Sequence, residues 1–95
     1  MPAYLLVNVE VKDSTAYERY KHEVPALIRR HGGEYLVRGG KCEVIEGNWQ
    51  PQRLVLFRFP NLQSIHAFFN DPDYQPLKDL RQRAAHTQAI AMEGL

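Results

Sequence analysis

His31-Gly32-Gly33-Glu34-Tyr35-Leu36-Val37-Arg38-Gly39-Gly40 is the turning point of this chain. Glycine tolerates the positive φ needed just past a helix end, so Gly32-Gly33 predicts a helix stop. A strand then begins at Glu34 and runs to Glu46. Arg38-Gly39-Gly40 predicts a bend in it, since a glycine pair inside a strand marks a bulge or a sharp turn. One arginine is left at that bend.

Upstream, residues 3–11 alternate: Leu5, Val7, Val9 and Val11 share one face, and Tyr4, Leu6, Asn8 and Glu10 share the other. Both faces begin apolar, which suits a strand covered on both sides. Asp13-Ser14-Thr15 offers N-cap chemistry for a helix to about His31. Its apolar stripe is Tyr17, Tyr20, Val24, Leu27, Ile28 and His31. Pro25 lies inside it and withholds the amide that would bond the Lys21 carbonyl, so a kink or restart is expected near Glu23.

Downstream, Gly47 to Gln52 reads as a connecting loop. A third strand from Arg53 to Phe59 sets Val55, Phe57 and Phe59 against Leu54, Leu56 and Arg58, and Pro60 stops it. Asn61 can cap a second helix with the stripe Leu62, Ile65, His66 and Phe69. Asn70-Asp71-Pro72-Asp73 interrupts and recaps it, and a further helical stretch runs from Tyr74 to about Ala85. A last strand spans roughly Gln88 to Glu93. The order strand, helix, strand, strand, helix, strand predicts an α+β, ferredoxin-like βαββαβ fold: a four-stranded antiparallel sheet with its helices on one face. Leu6, Leu54 and Leu56, or the opposite set, are then left uncovered. Large apolar patches are unusual on monomers, so a homodimer through the open sheet face is expected.

The totals narrow the function classes. Ninety-five residues predict one domain, 1–95. With 44% hydrophobic and 24% charged residues, the composition is that of a globular chain. A net charge of +1 and strands with few charges argue against nucleic acid. No apolar run is long enough to span a bilayer, and no charged leader precedes the first strand, so a cytoplasmic location is the expectation. The single cysteine, Cys42, suits a reducing compartment.

The combination His31-Gly32-Gly33-x-Tyr35-Leu36-Val37-Arg38-Gly39-Gly40, Glu46-Gly47-x-Trp49 followed by Pro51, and Arg53 leading to Phe59-Pro60 resembles the DUF1330 family. Asp71-Pro72-x-Tyr74, Leu80-Arg81 and Glu93-Gly94 extend the resemblance over nearly the whole chain. Cys42 and its charged neighbours depart from the small or aliphatic residues expected there. The resemblance implies a small bacterial protein of the dimeric α+β barrel superfamily with no assigned activity. That superfamily includes cofactor-independent monooxygenases, haem-handling enzymes and lactone isomerases, with pockets between sheet and helices.

Arg38 is the foremost candidate for binding, because a guanidinium beside a glycine pair can meet a carboxylate, phosphate or carbonyl oxygen. The alternative is an internal salt bridge to Glu34 or Glu46. Arg81 shares a helix face with Tyr74 and Leu77 and must find a partner there. Tyr20, His31, His66 and Tyr74 complete the polar candidates for a ligand site. Tyr17 and Tyr20 form a stripe that serves core or pocket equally. His22 lies about 140° around the helix from Tyr17 and faces water. No histidine pair has the spacing of helical metal ligands, and Cys42 has no partner, so neither metal nor cofactor is expected. Trp49 reads as a pocket lid or a plug in the dimer seam. Three functions follow: a small-molecule enzyme or binder, a non-catalytic dimeric accessory or stress-related module, and haem binding through His66 or His31.

Overall fold

The computed structural model describes all 95 residues. The elements are β1 (Ala3–Val11), α1 (Ser14–Arg30), β2 (Glu34–Arg38), β3 (Leu54–Phe59), α2 (Leu62–Asn70), α3 (Gln75–Ala84) and β4 (Ala85–Glu93). The strands form one sheet in the order β2-β3-β1-β4, with every neighbouring pair antiparallel. Each crossover therefore skips one strand, which gives the ferredoxin-like topology read from the sequence.

The capping chemistry behaves as its residue types dictate. Asp13 accepts a hydrogen bond from the Ala16 amide, and Asn61 accepts one from Ser64. At the other end of α1, the Gly33 amide donates to Ile28 and the Gly32 amide to Arg29, with Gly32 at φ +78°. This paired closure ends the helix and turns the chain into β2. α1 does not restart near Glu23; it is one helix through Pro25. The second crossover is broken at Asp71–Tyr74, where the Asp71 side chain accepts the Asp73 amide. Three helices result rather than two.

The larger departure concerns the second strand. It does not continue to Glu46: β2 ends at Arg38, and residues 39–53 form a long irregular connection instead of the short loop expected from Gly47. The irregularity in β2 also lies earlier than Arg38-Gly39-Gly40. Tyr35 pairs with Phe57 while Val37 pairs with Leu56, so the bulge falls at Leu36. β4 starts at Ala85, three residues before the expected Gln88.

The core lies between the sheet and the helices. Ala3, Leu5, Val55, Phe57 and Phe59 from the sheet meet Val24, Leu27 and Ile28 of α1, Ile65 and Phe68 of α2, Leu77 of α3, and Tyr74 just ahead of it. The strand registers leave the opposite face open. Across it, Val37, Leu56, Leu6 and Ile90 form one continuous row over all four strands. Trp49 folds beside this row near Leu6, Leu54 and Ile90. The loop holding it is tied to β1 by two bonds, from Asn8 Nδ2 to Gln52 Oε1 and from the Gln52 amide to Asn8 Oδ1.

Candidate functional site

The sheet-and-helix interior opens into a cleft with an internal void of about 50 Å³. Its floor comes from Leu5, Val7, Val9, Val55 and Phe57, and its upper wall from Tyr17, Tyr20, Val24 and Ile28 of α1. Nineteen residues line it, and none of them is acidic. Four are basic: Lys21, Arg38, Arg53 and Arg81.

Arg38 reaches this cleft because of the bulge. In an unbroken strand, residues 35 and 38 would face opposite sides. The extra residue at Leu36 restores Arg38 to the helix side, opposite Val55. Its guanidinium carbon then stands 4.7 Å from the centre of the Tyr35 ring, a cation–π contact. Nη2 donates to the Lys21 carbonyl at 3.1 Å. That carbonyl is free because residue 25 is proline and supplies no helical amide. Pro25 thus leaves an acceptor for the arginine. No carboxylate pairs with Arg38, so the internal bridge to Glu34 or Glu46 is absent; Glu34 instead faces Arg58 at 3.8 Å.

Arg81 finds phenols rather than a carboxylate. Its Nε donates to the Tyr74 hydroxyl at 3.3 Å, and the Tyr74 and Tyr20 hydroxyls are 2.9 Å apart. Burial, reinforced by Tyr74, pushes the Tyr20 phenol above its ordinary range, so it remains protonated. Burial works against the charge on Arg81, but the two facing phenol oxygens outweigh it and its pKa is raised. With Arg81 donating to Tyr74 and one hydroxyl donating to the other, a single phenolic proton is left over for a third group. Tyr20 and Tyr74 are 54 residues apart in sequence.

Two candidates stand elsewhere. His31 Nε2–H donates to Asp71 Oδ2 at 2.8 Å, and its ring packs edge-on against Phe68. Arg30 donates to Asp71 and Asp73 beside it. Chiefly through the His31 hydrogen bond, aided by the Asp73 amide and Arg30, the Asp71 carboxyl is held down to about 2. This cluster ties the end of α1 to the α2–α3 turn. His66 is exposed on α2 and does not line the cleft.

The sequence reading passed over Arg53 and Thr87. Arg53 stands 6.0 Å from the centre of the Tyr17 ring and lies so close to Gly39 that a Cβ there would meet its guanidinium. Its Nε is buried with no hydrogen-bond partner, as is Thr87 Oγ1. The available signal was parity: Arg53 has the strand phase of Val55, Phe57 and Phe59.

The DUF1330 model, a domain of unknown function, matches residues 2–95. The chain belongs to the DUF1330 family. No curated protein matches it. Among solved structures, this DUF1330 chain is similar to a protein of unknown function from Rhodopseudomonas palustris, with TM-score 0.80 and 19% identity over 99% of this chain and 82% of that one. It is also similar to SnoaB, a cofactor-independent oxygenase from Streptomyces nogalater, with TM-score 0.68 and 8% identity over 99% and 93%. A dimeric ferredoxin-like protein of unknown function from Jannaschia sp. CCS1 gives TM-score 0.65 and 14% identity over 99% and 100%. At these identities the likeness shows the shared fold. No helix in the DUF1330 chain is long and apolar enough to cross a membrane.

Proposed function

We propose that the protein is a homodimer that binds or transforms a small anionic or carbonyl-bearing molecule in the cleft between sheet and helices. One observation carries this reading. Arg38, Arg53 and Arg81 all border the apolar cleft, and no carboxylate pairs with any of them. Three guanidinium charges around a largely apolar cavity repel one another, and an entering anion relieves that repulsion. Arg38, at the exposed mouth, is the first anchor an anion meets. Tyr20, Tyr74 and Arg81 provide the inner hydrogen-bonding group. The carbonyl contact of Arg38 weighs against the accessory-module reading, which needs that arginine locked to an acid. His31 is engaged by Asp71 and His66 lies outside the cleft, which leaves haem binding without support from either residue.

The dimer is supported by surface arithmetic. A monomer of 11.0 kDa exposes about 5,600 Å² by the usual mass scaling, against 6273 Å² here. The excess of roughly 650 Å² approaches the ~800 Å² that each partner hides in a standard interface. Leu36, Val37, Trp49, Ile90 and Met92 are the exposed apolar side chains on or beside the open face. Native mass spectrometry of freshly purified protein tests both parts. The expected result is twice 11.0 kDa plus a retained small anion, lost in Arg38→Ala. A bare monomer at micromolar concentration that takes up no added carboxylate would overturn the reading.

A further inference from the structure

Residues 40–45 run without turn or bend, yet they belong to no strand of the sheet. No amide or carbonyl of residues 40–52 bonds to another backbone group. Val44 is 50% and Ile45 91% exposed, so two β-branched side chains, the type strands favour, project into water. This arm has the form of a strand without a neighbour. The sheet meanwhile has one bare edge. β4 pairs with β1 through an unbroken register from Ala85–Val11 to Glu93–Ala3, and nothing pairs on its outer side. It contains no proline, lysine or arginine, and its one acid, Glu93, is at its end. Edge strands are usually blunted by such residues or by bulges, because a bare edge is a template for another strand. The opposite edge, β2, is blunted: it is short, bulged at Leu36, and has Glu34 and Arg38 at its ends.

Resting on the dimer proposed above, we infer that the arm, residues 41–46, pairs with the outer edge of β4 in the partner copy. Within one chain the arm leaves the sheet at β2, the far flank from β4. Face-to-face packing about a twofold axis along the strands sets the β2 flank of one sheet against the β4 flank of the other. The pairing is then antiparallel, since β2 and β4 run in opposite directions. The same connection lays Trp49 on the open face beside Leu6 and Ile90, so the arm borders the surface on which the copies meet. A second copy is the fitting occupant because each chain has one unpaired arm and one bare edge. A twofold matches both at once and closes. A foreign strand would cover the edge and leave the arm in water.

Amide hydrogen exchange at about 100 μM should show every second amide between Lys41 and Glu46 protected, because an antiparallel strand bonds one neighbour through alternate residues. The double variant Val44→Ser/Ile45→Ser alters only exposed side chains, so each subunit should fold as before. Its dimer should dissociate at least tenfold more readily in sedimentation, the lost burial being counted once per subunit. Cys42 is exposed and the chain's single thiol, and it reports the contact directly. With a cysteine introduced in turn at each of residues 86–92, oxidation should give a disulfide-linked product of twice 11.0 kDa at one position at least. A disulfide that closes only within one chain would overturn the inference, as would a scan that links nowhere. A wild-type dimer whose arm amides all exchange freely, with the double variant equally tight, would also overturn it while leaving the dimer in place. A wild type that is monomeric at this concentration removes the dimer reading, and this inference with it.

Discussion

Placing an acid at Leu6 should split the dimer while sparing the subunit. Leu6 occupies an inner strand at the middle of the Val37–Leu56–Leu6–Ile90 row, and its side chain points away from the core. Leu6→Asp therefore removes nothing from the packing between sheet and helices. In the dimer the new carboxylate would lie in a dry seam without a partner, at a cost of roughly 3 to 5 kcal/mol. Twofold symmetry seats two such groups, so the assembly loses roughly 6 to 10 kcal/mol, a factor of about 10⁴ to 10⁷ in its dissociation constant. A micromolar dimer would then require concentrations of about 10 mM or more to form. Sedimentation velocity at 10 to 100 μM should show twice 11.0 kDa for the wild type and 11.0 kDa for the variant, with the same far-ultraviolet dichroism. Gln82→Asp, on the exposed side of α3, serves as the control and should stay dimeric. A wild type already monomeric at these concentrations would refute the reasoning, as would a folded Leu6→Asp protein that keeps the dimer mass.

Three further outcomes follow from the same geometry. The Asp71 carboxyl, at about 2 in the folded chain against an ordinary 3.8, is a depressed acid. Its stabilising contribution is complete above about pH 4 and is lost as pH falls toward 2; Asp71→Asn should flatten the urea midpoint across that window, and identical profiles for the two proteins would count against the His31–Asp71 tie. Tyr20→Phe leaves the buried Tyr74 hydroxyl without its 2.9 Å partner and should cost about 1 to 3 kcal/mol in denaturant unfolding, while in the wild type one phenol should resist ionisation well above pH 10 in an ultraviolet titration. Pro25→Ala restores the helical amide, for which an unperturbed helix would gain about 3 kcal/mol; because Arg38 already meets the Lys21 carbonyl, a gain of only about 1 to 2 kcal/mol in the same unfolding assay is expected.

Periodicity carried the element order, because each strand and helix buries one face and so repeats its apolar residues at two or at three to four. It also carried the open face, since Leu6, Leu54 and Leu56 share a phase that the helices do not cover. The end of β2 was not legible, because pairing is a property of two strands and Cys42 to Glu46 has no partner written into it. The bulge at Leu36 was hidden for the same reason, since Leu36 itself is an ordinary strand residue. Arg38 could be singled out, yet its acceptor on Lys21 and its stacking on Tyr35 depend on where α1 lies over the sheet. The Tyr20–Tyr74–Arg81 cluster joins residues distant in the chain, and only its members were nameable beforehand. Arg53 and Thr87 were passed over because a charged residue at a strand start and a threonine near a strand end are both commonplace on surfaces.

The irregularity at Leu36 has an effect on both sides of the sheet at once. Were Leu36 drawn into the ladder opposite Leu56, Val37 would move opposite Val55 on the cleft side, and Arg38 would turn through the plane onto the open face, opposite Leu54. A cation would then sit on the face proposed for the dimer seam, and the cavity would be short of its outermost charge. In the proposed dimer, one surplus residue thus keeps the arginine of the cleft and the apolar row of the seam on separate sides of a layer one strand thick.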